Sequence, residues 1–435
     1  MSSSNRRVFL QTAVSAAIAT RGRILGANDR IRLGVVGIGG RGRAHVNSYA
    51  ALPACNIAAL CDVNQAARER GSALVVKAGG QKPKEYADMR ELFADKEIDA
   101  VSIATPNHWH ALSTIWACQA GKDVYIEKPA SHNMFESRKM IEAARKYKRM
   151  VQVGSQSRSS AVTKRAIDLL KEGTIGKVYL SKGLCYKRRK SIGHKPDAQV
   201  PPGLDWSMFL GPAPMRPFNE LRFAYNWHWF WDTGNGDIGN QGVHEMDIAR
   251  WGIGLDTHPT KVSSSGGKYV YEDDQETPNT QLATFSWGPN EELMFEVRGL
   301  ITGGESGLEG KGNTVGNLFY GADGYLGIED GGLKVFKGEN RELVMEEKAR
   351  RDGSEGNSPH MTNFLNAVRS RNHKELTAEI EIGALSADIC HMANIAYRIG
   401  KTLTYDPKAQ KFDDSQANKL MTREYRAPYI VPDRV

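Results

Sequence analysis

Two stretches of this sequence hold residues able to move a proton. Glu127-Lys128-Pro129 sets a carboxylate beside an ammonium. His244 lies in a helix-like run, GVHEMDIARW, which follows the aromatic and glycine-rich stretch YNWHWFWDTGNGDIGNQ. An unperturbed imidazole titrates near neutral pH. A lysine does so when desolvation or a neighbouring cation lowers its pKa, and a lysine that stays charged stabilises a developing alkoxide. Such groups suit an alcohol whose carbon gives up a hydride, because the hydroxyl proton must leave as well. Taken alone, Lys128 also fits a surface lysine turned outward by Pro129, and His244 a polar residue satisfied in an aromatic core.

A hydride needs an acceptor, and residues 28–155 have the pattern of a dinucleotide domain. The apolar run IRLGVV leads into Gly37-Ile38-Gly39-Gly40-Arg41-Gly42 and then a helical run; a second apolar run ends at Asp62, twenty residues after Gly42. In that setting Gly37 permits the tight turn, Gly39 lets backbone approach a pyrophosphate, and Gly42 lets the helix pack closely. The helix N-terminus faces the phosphates. Asp62 suits a ribose diol and repels a 2′-phosphate, so NAD is favoured over NADP, a preference that Arg41 softens. Helix-type and strand-type runs then alternate to Val153, which predicts a parallel, doubly wound Rossmann sheet. Ligands of such sheets sit beyond the carboxyl ends of the strands, where Thr105-Pro106-Asn107-His108-Trp109-His110 and Glu127-Lys128-Pro129 fall. His108 and His110 have no acid or cysteine partner nearby, so no metal is expected.

ATPNHWHA and EKP, downstream of the glycine loop and upstream of GVHEMD, resemble the Gfo/Idh/MocA family of NAD(P)-dependent sugar and cyclitol oxidoreductases. The likeness runs through nearly all of the chain after residue 28, including IEIGALSADICHMANIAYRIGKTL. It implies that Lys128 and His244 share the hydroxyl being oxidised, and that Thr105, Asn107, His110 and Glu127 belong to the cofactor site. It also implies a homo-oligomer, dimer or tetramer, and in some relatives a tightly held cofactor. The family's usual pattern places an aspartate four residues before the histidine; here that residue is Asn240, and the nearest acid is Asp237. Asparagine cannot accept a proton at neutral pH. Either Asp237 takes that role, or Lys128 and His244 suffice, or the reaction is the redox-neutral glycoside cleavage of some relatives. Asp247 is read as a structural helix acid.

Residues 156–403 turn to strand-like runs, among them 177–186, 261–271, 281–287 and 292–300. They predict an α/β domain with a large, mainly antiparallel sheet carrying the substrate site. Residues 376–401 read as a returning helix and 404–435 as a polar tail with an ordered-looking YRAPYIVP end. Tyr225, Trp227, Trp229 and Trp231 alternate as in a strand; Trp227 and Trp229 suit sugar stacking and core packing equally. Gln156 is a further substrate-side candidate.

At the N-terminus Arg6-Arg7 precedes an alanine-rich apolar segment, so residues 1–27 resemble a twin-arginine export signal. That predicts a periplasmic or otherwise exported protein handed to export machinery. These residues hold four arginines and no acid, so the formal charge of +8 falls to +4 for the rest. Nucleic acid is not expected as a partner, and the run Lys187-Arg188-Arg189-Lys190 suits contact with a phosphate but reads first as a solvated loop or strand face. No apolar run is long enough to span a bilayer. Five cysteines without metal-type spacing make a disulfide scaffold or metal centre unexpected.

Overall fold

The computed structural model describes residues 30–308, 313–350 and 357–435. The export-type segment expected at 1–27 lies outside the described residues. Six parallel strands form the first sheet: β1 (Ile31–Val36), β2 (Cys55–Cys61), β3 (Lys84–Tyr86), β4 (Ala100–Ile103), β5 (Asp123–Ile126) and β6 (Val151–Val153). Their order is β3-β2-β1-β4-β5-β6, the doubly wound arrangement in which the strand order reverses between β1 and β4. Strands β4 and β5 are buried on both faces, which is why they read as continuous apolar runs rather than alternating ones. One side packs on helices 110–119 and 134–146, the other on helices 40–50 and 65–77.

The helix Met134–Lys146 begins where Asn133 accepts from the Glu136 amide, while the Glu136 carboxylate accepts from the His132 amide. This reciprocal cap fixes the loop that carries Lys128. Burial pushes the Glu136 carboxyl up to about 7.

The second sheet has ten strands: β7 (Val178–Tyr186), β8 (Lys261–Gly267), β9 (Thr280–Ser286), β10 (Glu292–Arg298), β11 (Thr314–Gly321), β12 (Gly324–Glu329), β13 (Gly332–Lys337), β14 (Glu342–Lys348), β15 (Leu403–Asp406) and β16 (Lys411–Phe412). They lie in the order β14-β13-β12-β11-β7-β10-β9-β8-β15-β16. Only β7 and β10 pair in parallel, so the expected mainly antiparallel sheet is present. Strand β10 shows how the sheet covers its helices: Leu293, Phe295 and Val297 are buried while the residues between them are not.

Three expectations are corrected. The strand expected over 261–271 stops at Gly267. A helix not foreseen, Asn357–Ser370, brings Met361, Phe364 and Leu365 onto the nucleotide-domain core. The end of the chain is no separate tail. Strand β15 pairs with β8, Tyr429 and Val431 are buried in the nucleotide-domain core, and Arg426 donates to the carbonyls of Gly211 and Ala213. Its charged residues hid where these few apolar anchors dock.

The helices of the second layer are pinned by one buried ion pair. Arg158 donates twice to Asp247, at 2.7 and 2.9 Å, and Ser386 donates to the same carboxylate at 2.6 Å. Asp247→Ala leaves Arg158 and Arg250 buried without a counter-ion. It is expected to lose about 3–5 kcal/mol in urea unfolding, whereas breaking the exposed Arg165–Glu347 pair changes stability by less than about 1 kcal/mol.

Candidate active site

The glycine loop is built as its sequence requires. Gly37 has φ +82°, and a Cβ there would come within 2.8 Å of the Ala104 carbonyl. A Cβ at Gly42 would lie 1.7 Å from the Gly37 oxygen, so the third glycine lets the helix sit against the turn itself. Around Gly39 the equivalent space is open. The helix Gly40–Ala50 starts with no side-chain cap and no acid in its first turn. Its amides and dipole therefore face a place fit for a pyrophosphate. Asp62 closes β2 with its carboxylate set by two amides, from Ile38 at 2.5 Å and Asn64 at 2.8 Å. Burial pushes its pKa up, against the pull of those two bonds. Each oxygen keeps a lone pair for a ribose hydroxyl.

Glu127, at the end of β5, is 4% exposed. Its Oε1 receives Arg41 at 2.8 Å, His45 at 2.9 Å and Gln156 at 3.1 Å, and its Oε2 receives the Lys128 amide at 3.2 Å. Burial alone would raise its pKa; Arg41, then His45 and Lys128, more than offset this and hold it well below the usual carboxylate range. A Cβ on Gly154 would lie 2.8 Å from Oε1, so only glycine fits beside it. Arg41 thus donates from Nε to Glu127 and from a terminal nitrogen to Asn357. Gln156, expected on the substrate side, instead braces Glu127 and Tyr125.

Thr105 follows β4 with a buried hydroxyl that has no partner among the described residues. Asn107 donates to Asn235 at 2.8 Å, joining the two domains. His110 was expected among the cofactor contacts, but both its ring nitrogens face protein carbonyls, Pro129 at 2.7 Å and Thr105 at 2.8 Å. It ties the two loops together from behind. His108 is likewise set against the Phe209 and Thr233 carbonyls, and burial pushes it down to about 3. Among the described residues no group of three or more His, Cys, Asp or Glu could hold a metal ion.

Lys128 reaches across the domain boundary. Its Nζ donates to the Asn240 carbonyl at 2.8 Å and lies 3.4 Å from the Asn240 Oδ1. Burial lowers its pKa, Glu127 opposes the shift, and Arg41 reinforces it. His244, in the first turn of the helix Gly242–Ile253, makes no side-chain hydrogen bond among the described residues. Burial, then the charge of Lys128, pushes it down to about 3. The imidazole is thus neutral and open beside a lysine of weakened basicity.

The nearest acid preceding His244 in sequence is not free. Asp237 is held by Arg189 through two bonds, at 2.7 and 2.9 Å, and also receives the Asn240 amide at 3.3 Å. That amide donates to the Tyr225 hydroxyl at 3.0 Å as well. A carboxylate clasped in this way is a poor proton acceptor, which corrects the catalytic role considered for Asp237. Asn240 becomes the link between Lys128 and this cluster.

The aromatic stretch is a 3-10 turn over Asn226–Trp229, not a strand, so the alternating aromatics do not share a face. Trp227 stacks on His228 with ring centroids 3.5 Å apart. Trp229 is 4% exposed and packs under Arg189 and Tyr225, which leaves little ring face for a sugar. Arg189, His45 and Gly154 are site residues that reading the sequence missed, and Tyr225, weighed there with the stacking aromatics, accepts from Asn240 instead. The signal for Arg189 was its place: the basic run begins where a strand ends, as both reactive loops of the first domain do.

Residues 31–155 match the family model for the NAD-binding Rossmann fold of the Gfo/Idh/MocA oxidoreductases, and residues 172–274 and 324–431 match that for their C-terminal alpha/beta domain. The rhizopine catabolism protein MocA of Rhizobium meliloti is 28% identical over 236 residues, covering 54% of this chain and 61% of that protein. A glycosyl hydrolase family 109 protein of Saccharopolyspora erythraea is 26% identical over 218 residues, covering 49% and 42%. The chain thus spans about half the length of these relatives. Among solved structures, levoglucosan dehydrogenase in complex with NADH and L-sorbose superposes with a TM-score of 0.66 at 17% identity, covering 86% of this chain and 99% of that one. The WlbA dehydrogenase from Bordetella pertussis, in complex with NADH and UDP-GlcNAcA, gives 0.63 at 18%, covering 87% and 99%. At such identities the likeness is one of fold. Matched across both domains, the chain belongs to the Gfo/Idh/MocA oxidoreductase family.

Proposed function

We propose that this protein oxidises or reduces a hydroxyl-bearing carbon of a sugar, sugar acid or cyclitol with NAD, Lys128 and His244 handling the hydroxyl proton. One observation carries the reading: half-buried Lys128 of the nucleotide domain donates at 2.8 Å to the Asn240 carbonyl of the substrate domain, four residues before the half-buried imidazole of His244, which makes no side-chain hydrogen bond among the described residues and has its pKa depressed in part by the Lys128 charge. The bound nicotinamide supplies the hydride acceptor. The chain's own residues do the rest. As the carbon–hydrogen bond breaks, the oxygen–hydrogen bond gives its electrons to the new C=O, and its proton passes to neutral Lys128 or His244. The second group donates a hydrogen bond to the oxygen and stabilises its charge.

Asp62 supports NAD rather than NADP, because a 2′-phosphate would meet a carboxylate already set by two amides. Retention of the cofactor is supported at its adenine end. There the substrate domain meets the nucleotide domain: the backbone amide of Gln65 donates to the Gly203 carbonyl at 2.9 Å, and that of Asp205 to the Val63 carbonyl at 3.0 Å. Beside them lies an open cleft of about 670 Å³ bounded by Val63, Ala87, Leu204 and Trp206. Tight retention fits export through the twin-arginine segment at Arg6-Arg7, since an exported enzyme meets no free NAD pool. Leu282 and Met294, on the outer face of the ten-stranded sheet, support assembly into a dimer or tetramer.

Redox-neutral glycoside cleavage is the second reading. Asn240, where the family usually keeps an acid, favours it, as do relatives named as glycosyl hydrolases. A sugar carbon is oxidised transiently, the aglycone is eliminated, water adds, and the hydride returns.

Incubation with glycosides, following reduced nicotinamide and released aglycone together, separates the two: net reduction without cleavage is expected, and cleavage without net reduction would establish the second reading instead. Gly39→Ala should fold as the parent does, because its methyl meets open space, yet bind NAD about tenfold more weakly in a fluorescence titration. The pH profile identifies the base. Lys128 has a lowered pKa, so it becomes a base as pH rises through that value, and kcat/KM for oxidation should rise with it. His244, pushed down to about 3, stays neutral throughout. Lys128→Met should remove the rise and cost roughly 100-fold or more, whereas His244→Asn should lower the rate and keep the rise.

A further inference from the structure

Charge on the substrate side of the cleft is unbalanced. Strand β7 ends at Tyr186 and delivers Lys187-Arg188-Arg189-Lys190 toward the start of the His244 helix. Arg189 is neutralised by Asp237 at 2.7 Å, and that acid is thereby committed. Arg188 donates to the backbone carbonyls of Arg189 and Gly299. Half-buried Lys187 donates only to a neutral amide, the Gln241 Oε1 at 3.3 Å. Gln241 in turn donates to Glu245 at 3.1 Å, a buried carboxyl pushed up to about 8 by its burial and so uncharged at neutral pH. Among the described residues Lys187 forms no ion pair, and the site's other ammonium, Lys128, donates to Asn240, which carries no charge.

Gln241 lies three residues before His244, so this cation sits about one helical turn from the imidazole. A half-buried ammonium without a counter-ion is stabilised by an anion arriving beside it, and a charge placed in a binding cleft selects partners by sign. We infer that the substrate carries a negative charge, a carboxylate or a phosphate ester, which pairs with Lys187 while the hydroxyl to be oxidised lies at Lys128 and His244. The position of the hydroxyl rests on the oxidoreductase reading; the pairing of the anion does not.

Binding without turnover tests it. NAD-loaded protein is titrated, by quenching of its tryptophan fluorescence, with matched pairs: glucuronate and glucose, galacturonate and galactose, glucose 6-phosphate and glucose. At least one charged member is expected to bind about thirtyfold more tightly than its neutral partner, the scale of one charge-assisted hydrogen bond. Whether uronates or the phosphate show the preference identifies the anion. Lys187→Gln should abolish the preference with the thermal midpoint unchanged, and Lys187→Arg should restore most of it. Equal binding of charged and neutral members, no binding of any charged member, or a preference that survives Lys187→Gln overturns the inference. Absence of hydride transfer, with a Lys187-dependent preference intact, would count against the oxidoreductase reading alone.

Discussion

An ionised carboxylate buried at the centre of the molecule sets the terms for everything around it. Removing Glu127 from water costs several kcal/mol unless each oxygen is met, and the chain meets them from three directions. Arg41 and His45 come from the helix that follows the glycine loop, Gln156 from the turn after β6, and an amide from the next residue. Gly154 exists to let the carboxylate lie so close to the β6 turn. Because the helix of the phosphate loop and the loop bearing Lys128 hold the same carboxylate, neither can shift without stranding a buried charge. The cofactor end and the reacting end of the cleft are therefore fixed relative to each other before any ligand arrives.

The substrate domain is attached to this centre through Lys128. Its ammonium is tied to Asn240, Asn240 to Asp237 and Tyr225, and Asp237 to Arg189. One ion-paired network thus begins on a parallel sheet and ends on an antiparallel one. His110 reinforces it from behind by holding the Thr105 and Pro129 carbonyls together. Asn107 and Asn235 add a direct bond between domains. The cleft is consequently shaped by polar contacts that satisfy one another, and its unpartnered groups, the His244 imidazole and the Thr105 hydroxyl, stand out as places for ligand atoms.

What was legible in the sequence follows from how local each feature is. The Rossmann half could be read because its strands, its glycine loop and Asp62 obey short-range rules of period, turn and helix start. The large sheet was legible as strands but not in its limits, since the 268–279 segment looks strand-like until the Lys268 ammonium and the Asn279 side chain draw it into a loop. The helix 357–370 escaped because its apolar residues are sparse, and the ordered look of YRAPYIVP did not tell where Tyr429 docks because its partners lie hundreds of positions away. In the site, Lys128 and His244 were found from their motifs. Arg189 was missed because a basic run looks solvated until its partner, Asp237, 48 residues on, is placed beside it.

The asparagine at 240 then acquires a physical meaning. An aspartate there would keep the backbone bond to Lys128 but would add a negative charge on the side-chain oxygen 3.4 Å from the ammonium, and an opposite charge at that distance holds a lysine protonated. Asparagine offers the bond without the charge. Burial then acts on Lys128 with Glu127 as the chief opposing charge, and Glu127 is itself ion-paired with Arg41. Replacing the acid by its amide therefore moves the base rather than removing it: the proton that a carboxylate would have taken falls to the lysine. The same replacement leaves the substrate side of the cleft one negative charge short, and the charge missing from the protein is the one that an anionic substrate would bring.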